Sequence, residues 1–388
     1  MEDRVVLASV SGEIVLKSER TRPRFEQRLI RNILDAFSRS GVGCRRVWIH
    51  AARLYVSGCS DGELEKAVDT LTRVFGVHWA TVAHVVEYKV LEDLAERVRE
   101  IAGDWVRGKK FAVRARRSGA EGFTSLEAAR VIGAALYPLS AGVDLENPEV
   151  EVHVEIRGRR AYVYRETRRG PGGLPVGVEG RVLALFSGGL DSPVAAWMAA
   201  KRGAEVDLLH YVLASPASLG DALRVGYRLA GSWLYGYRPR LYAIDFRPVT
   251  RAIAGLVERS YAQLVLRLAM YVAAEKMALE LGYDALYTGE SVGQVSSQTL
   301  KNLSALARAR PLRVPLIRPL AGLDKEEIVD LTRRIGVYEE ASRTREYCRL
   351  ASGPATTRGS PRKLAEEYAK VESVVEQSTR QYIEIPLV

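Results

Sequence analysis

Val182-Leu183-Ala184-Leu185-Phe186 is an unbroken apolar run that ends on Ser187-Gly188-Gly189-Leu190-Asp191-Ser192, and Ala-rich sequence follows. Few folds accept this arrangement. A strand that is apolar on both faces must be covered on both, as the inner strands of a parallel sheet are. The two glycines permit positive φ and a close approach by a ligand. Successive backbone N–H groups leading into a helix start form an anion site, to which Ser187 and Ser192 add hydroxyl donors. The Gly-Lys-Ser/Thr element of a Walker loop is absent. A Gly-Gly pair alone serves equally well as a structural turn. The whole string, set between a strand and a helix over about 193–202, points to the phosphates of a nucleotide.

The pattern around this loop repeats. Apolar runs at 206–212, 241–245 and 285–288 read as further strands, with helices near 219–234, 250–281 and 325–335. Strand and helix alternation of this kind implies a doubly wound α/β domain with a parallel sheet over residues 179–388. The front of the chain reads differently. A strand over 5–10, a helix over 23–39 stopped by Gly41-Val42-Gly43, and paired strands at 47–49 and 54–56 form a small α+β domain, 1–57. A second, 58–169, contains helices over 63–74, 91–106 and 125–136, the last with Ser125 as its cap. Its strands fall near 77–88 and 111–116, with a hairpin at 150–156 and 161–164. The Gly/Pro-rich stretch 170–178 reads as a linker.

The 388 residues carry a net charge of +10, which favours an acidic partner, most often nucleic acid. The charge is clustered. Lys109, Lys110, Arg114, Arg116 and Arg117 lie in a stretch without an acid. Arg157, Arg159, Arg160, Arg165, Arg168 and Arg169 form a second group, and Lys301, Arg308, Arg310, Arg313 and Arg318 a third. Each cluster alone reads equally as a solvated face. No run of eighteen apolar residues occurs, so no membrane span is expected, and Met1-Glu2-Asp3-Arg4 does not resemble a secretory leader. Cys44, Cys59 and Cys348 are odd in number and far apart, so neither a disulfide framework nor a zinc site is expected. A reducing, cytoplasmic location follows from that reading, with Cys44 and Cys59 as buried apolar fillers and no protein-held metal.

The loop 187–192 resembles the PP-loop of ATP pyrophosphatases, which split ATP to AMP and pyrophosphate. The similarity extends along the chain to the tRNA 4-thiouridine synthetases, a family also linked to thiamine biosynthesis. Gly12-Glu13-Ile14-Val15-Leu16-Lys17-Ser18 with Arg24-Phe25 resembles their ferredoxin-like first domain. Lys110-Phe111-Ala112-Val113-Arg114 and Asn147-Pro148-Glu149-Val150 resemble a THUMP domain, an RNA-binding module. The segments 172–177 and 288–299 resemble the joint to, and a distinctive stretch of, the PP-loop domain.

The resemblance implies an order of ferredoxin-like, THUMP and PP-loop domains, and ATP with its Mg2+. It puts nucleotide contacts on Leu185, Phe186, Ser187, Gly188, Gly189, Asp191, Ser192, His210, Tyr211, Arg267, Gly289 and Gln298, and catalytic roles on Asp191, Lys325 and Cys348. His210 is otherwise a packed strand-end histidine, Arg267 and Lys325 surface cations, Cys348 a buried filler. The basic residues at 109–117, with Arg168 and Arg169, become candidates for tRNA contact. The implied reaction transfers AMP to a uracil C4 oxygen, after which sulfur displaces it; a role in thiazole formation is also implied. The partners are then tRNA and a sulfur donor, either a cysteine desulfurase persulfide or sulfide, and a homodimer is compatible with the family. Some members add a rhodanese domain whose cysteine pairs with the central one. No such segment precedes Val388, so a persulfide on Cys348 would need an external partner. A PP-loop ligase acting on a small substrate, or a non-catalytic RNA-binding protein, are the rival readings.

Overall fold

The computed structural model describes residues 4–119, 122–344 and 356–388. It comprises two compact units, Met1–Gly172 and Gly173–Val388.

The first unit runs β1 (Arg4–Val10), the single turn α1 (Gly12–Val15), α2 (Arg22–Ser40), β2 (Arg46–His50), β3 (Arg53–Ser57), α3 (Asp61–Leu71) and β4 (Val77–Glu87). It continues with α4 (Leu91–Val106), β5 (Lys110–Ser118), α5 (Ser125–Leu136), β6 (Gly142–Val143), β7 (Val150–Arg157), β8 (Arg160–Tyr164) and β9 (Arg168–Arg169). All these strands join one sheet in the order β2-β3-β1-β4-β8-β7-β5-β6, with β9 on β4. The eleven-residue β4 makes this possible, because it pairs with β1 over most of its length and with β8 at its end. α2 has the expected amphipathic stripe, Phe25, Leu29, Ile33 and Phe37 being buried, and Gly41 closes it at φ +62°.

Two sequence expectations are corrected here. The cap of α5 is Thr124, not Ser125: its side chain accepts from the Glu127 amide while Glu127 reaches back to the Thr124 amide. This capping box satisfies two orphan donors and outcompetes a single-residue cap. Cys44 and Cys59 are also not separate fillers, since they form a disulfide across 15 residues. The β2–β3 ladder opens with Arg46 opposite Ser57, and the Arg45 amide donates to the Ser57 carbonyl. The hairpin register therefore carries the two cysteines to facing positions, which sequence spacing does not reveal.

The second unit contains β10 (Arg181–Leu185), α6 (Asp191–Lys201), β11 (Glu205–Val212), α7 (Ala217–Trp233), β12 (Arg240–Asp245), α8 (Arg247–Leu256), α9 (Ala262–Leu281) and β13 (Ala285–Tyr287). Then come α10 (Leu300–Ala309), β14 (Leu316–Ile317), α11 (Lys325–Arg334), the short α12 (Tyr338–Ala341), α13 (Pro361–Ala369), α14 (Glu372–Thr379) and β15 (Tyr382–Pro386). Its sheet runs β14-β13-β10-β11-β12-β15; the first five strands are parallel and β15 is antiparallel to β12. The doubly wound α/β class read from the apolar runs is thus present. The helix expected over 250–281 is two, because Val257 is extended at φ −98°, ψ 141° and separates α8 from α9. Strand order progresses outward from β10 through β11 and β12, then resumes on β10's other flank with β13. That reversal makes the carboxyl ends of β10 and β13 the topological switch point, where open α/β sheets bind ligands.

Candidate active site

The loop 187–192 leaves β10 at this switch point and runs into α6. Gly188 sits at φ +82°, and a Cβ there would lie 2.8 Å from the Ala222 Cα of α7. Only glycine fits, because the conformation and the approach of the neighbouring helix both exclude a side chain. Ser192 Oγ accepts from the Gly188 amide at 3.2 Å, and Ser187 Oγ accepts from the Gly189 amide at 3.2 Å. The two hydroxyls lie 3.3 Å apart. Thr344 Oγ1 donates to the Gly188 carbonyl at 2.8 Å, tying the loop from its far side. The loop is therefore held open by its own serines, with the α6 amino end behind it.

The second wall is the segment after β13. A Cβ on Gly289 would meet the Asp191 backbone carbon at 2.8 Å, so glycine is what lets this turn press on the helix start. Gln294 Nε2 donates to Asp191 Oδ2 at 3.2 Å. Gln298 is buried, and its Oε1 has no hydrogen-bond partner among the described residues. Between them Glu290, 3% exposed, accepts from Arg267, from Arg318 Nε at 2.7 Å and from the Tyr271 hydroxyl. Arg267 also donates to Ser297 Oγ at 3.0 Å. Two guanidiniums on one carboxylate leave a net positive charge beside the loop.

Burial pushes the Asp191 carboxyl up, against the Gln294 hydrogen bond and the attraction of Lys325, which opens α11. Asp191, Gly289, Gln294 and Lys325 are thus one neighbourhood. His210 is buried between the Phe186 carbonyl, 2.9 Å from Nδ1, and Ser218 Oγ, 3.1 Å from Nε2. A carbonyl only accepts, so Nδ1 carries the proton and Nε2 accepts from Ser218. Desolvation lowers the pKa of this imidazole and keeps it neutral. Tyr211, one residue on, faces the opposite side of the sheet. It packs on Phe246 and donates to the Met270 carbonyl at 2.6 Å. Leu185 and Phe186 are buried at the end of β10. Arg267 is enclosed by its carboxylate partner rather than standing on the surface.

Among the basic candidates of the first unit, several are already engaged: Lys110 Nζ lies 4.0 Å from Asp144, and Arg117 donates to the Gly119 carbonyl at 2.7 Å. Arg114 donates to Glu151 at 2.7 Å, and Arg168 binds Asp69 and Glu65 on α3. Lys110, Arg116 and Arg169 are exposed. Cys348 lies outside the described residues. Sequence reasoning passed over Glu290, Gln294, Tyr271 and Arg318 as site residues. Glu290 and Gln294 stood inside the distinctive 288–299 stretch, and Arg318 inside a basic cluster.

A phosphate loop at the switch point of a parallel sheet, walled by a polar segment from the adjacent strand, defines a PP-loop α/β protein. The chain belongs to the ThiI family, "thiamine biosynthesis protein", whose model matches residues 177–373. The front unit carries a match to the ThiI ferredoxin-like domain over 9–81 and to the THUMP domain over 88–166. A tRNA sulfurtransferase of Desulfurococcus amylolyticus is 48% identical over 92% of this chain and 73% of its own. A probable tRNA sulfurtransferase of Aeropyrum pernix is 46% identical over 96% of this chain and 93% of its own. Among solved structures, a 4-thiouridine synthetase in complex with RNA and ATP is 28% identical, with a TM-score of 0.81 over 99% of this chain and all of that one.

Proposed function

We propose that this chain is a tRNA sulfurtransferase that makes 4-thiouridine, using ATP to activate the uracil C4 oxygen. The observation that carries the reading is the pairing of the 187–192 loop with the 289–298 segment through Asp191, Gly289 and Gln294. The names of its relatives and of its structural neighbour support the same chemistry. A uracil carbonyl oxygen is a poor leaving group, and forming a C4–O–AMP bond with loss of pyrophosphate makes it a good one. The α6 amino end and the Ser187 and Ser192 hydroxyls, which the Gly189 and Gly188 amides hold in place, would face the phosphates; preorganised donors of this kind are worth about 3–4 kcal/mol each in the transition state. Arg267 and Arg318, in surplus over Glu290, favour the same anion. The unpartnered Gln298 Oε1 suits an amino donor such as the exocyclic amine of adenine.

Among the described residues no group of three His, Cys, Asp or Glu side chains could hold a metal. Mg2+ would arrive with ATP, and the Asp191 carboxylate at the loop's mouth would meet it, bringing its charge against the phosphates. Sulfide attacking C4 would expel AMP and leave the thiocarbonyl. A persulfide on Cys348 would leave the base disulfide-linked to the enzyme, to be released by an external thiol. The target base must first leave its stack at a cost of about a few kcal/mol, which a separate RNA-holding unit offsets. A second role, sulfur transfer toward the thiazole of thiamine, is proposed alongside; the family description names thiamine biosynthesis.

Incubation with ATP, sulfide or a persulfide donor, and unmodified tRNA tests the proposal. Pyrophosphate and 4-thiouridine are expected together, and only when RNA is present. Pyrophosphate release without RNA would indicate a small-molecule ligase, and no release at all a non-catalytic RNA-binding protein.

A further inference from the structure

The sheet of the first unit has one face under α2–α5. On its other face the apolar cluster of Val5, Leu7, Tyr55, Tyr162 and Tyr164 is built from strand residues, with Trp79 and Val85 against it. At the β2 edge of this face Trp48 is 39% exposed and stacks on Tyr55 at 5.2 Å and 14°, and Tyr55 in turn meets Tyr162 at 5.2 Å. Beside the stack is a groove of about 370 Å³, lined by Trp48, His50, Tyr55, Arg157, Arg160 and Tyr162, with no acidic side chain in its lining.

Two further observations point to a ligand. Arg157 lines the groove; its Nε is sealed from solvent without an acceptor among the described residues, so it is the terminal nitrogens that can meet a ligand, and the carboxylate of Glu155 is 3.6 Å from Nη2. Arg160 pairs with Glu87 at 2.9 Å on the rim. The β2–β3 turn at the groove's end is made by Ala51 and Ala52 at φ +46° and +63°. Such a two-residue turn normally takes Asn or Gly, and strained backbone of this kind gathers at functional sites. A half-exposed indole on an aromatic stack, next to a guanidinium that lines the same groove, matches the two faces of a nucleotide: a base to stack and an oxygen to accept.

We propose that this groove binds an unpaired ribonucleotide of the RNA substrate, its base on Trp48 and an acceptor oxygen on Arg157. It adjoins the end of the basic strand β5, since Ser118 lines it and pairs with Arg157, and it supplies stacking that the basic residues at 109–117 and 168–169 lack. The inference rests on the RNA-directed function proposed above.

The test uses the full chain, a fluorescein-labelled single-stranded hexauridine and an unmodified tRNA transcript. Trp48→Ala and Arg157→Gln should each weaken hexauridine binding about tenfold, while Trp48→Phe stays within about twofold because the ring is kept. Arg157→Gln should also reduce the slope of log affinity against log salt by about one. Thermal melting of each variant checks that the fold is intact, and 5-iodouridine in the hexamer should cross-link to the peptide containing Trp48. Hexauridine that fails to bind the wild type, variants that bind it unchanged, or cross-links confined elsewhere would overturn the groove. Wild-type pyrophosphate release with tRNA is measured in parallel. If it is absent while Trp48→Ala still loses hexauridine, the sulfur-transfer reading falls and the groove stands.

Discussion

Asp191 joins structure to chemistry at the scale of one residue. The sequence places it at the mouth of a phosphate loop; the fold adds burial, a hydrogen bond from Gln294 and the charge of Lys325. Burial dominates and raises its pKa, so the folded state holds the proton more tightly than the unfolded chain. The stability it contributes is therefore fully present below the ordinary carboxylate pKa and is lost as pH rises through the raised folded value. Asp191→Asn should melt at or above the wild-type temperature near about pH 7, with the difference shrinking toward about pH 4. The same variant should lose about 100-fold or more in ATP-dependent pyrophosphate release. A calorimetric pH series beside a pyrophosphate assay reads both effects. A variant that is less stable at neutral pH would contradict the assignment of burial as the dominant cause.

Glu290 and the Cys44–Cys59 bridge act at the scale of elements. Glu290 joins the segment after β13 to α9 through Arg267 and Tyr271, and to the end of β14 through Arg318. Glu290→Ala would leave two mostly buried guanidiniums facing each other without a counter-ion, a loss of about 3–5 kcal/mol. Chemical denaturation should show that loss, and ATP affinity should fall with it. The bridge closes a loop across the β2–β3 hairpin, and the chain-entropy relation for a 15-residue loop gives about 3 kcal/mol. Cys44→Ser or a reductant should lower the denaturation midpoint of the wild type accordingly, with pyrophosphate release unchanged under native conditions.

Chain-tracing hydrogen bonds tie Gly170 and Gly172 back to β4, and Leu174 and Gly177 onward to α6 and its exit. What separates the two units is the Gly172–Gly173 pair, both at positive φ. The net charge of +10 makes the proposed RNA binding a salt-dependent property. Since Lys110, Arg114 and Arg168 pair with acids and Arg117 is engaged as well, about three of the seven basic candidates would release counterions. Raising salt from about 50 to about 200 mM should then weaken tRNA binding about 40-fold. Fluorescence anisotropy against salt gives the slope directly, and a slope near zero would remove the electrostatic contribution.

Local signals were legible in the sequence wherever neighbouring residues decide the outcome. The apolar run of β10, the glycine at 188 and the stripe of α2 are determined by residues a few positions apart, and each formed where its pattern lay, whereas Gly189 does not adopt positive φ. The sequence also carried the doubly wound class, because strand and helix alternation leaves few ways to cover a two-faced apolar strand. Contacts between distant residues had no local trace. The Cys44–Cys59 pairing depends on a hairpin register, and the extended Val257 that divides α8 from α9 depends on packing. The joining of the front strands in one sheet depends on a β4 long enough to reach two partners. Arg267 illustrates the difference most directly: as a residue in a long helix it was a surface cation or a phosphate ligand, and only the tertiary structure encloses it against Glu290, 23 residues away. Propensity and pattern act over one or two turns of chain, whereas a buried charge finds its counter-ion through the order in which strands are laid side by side.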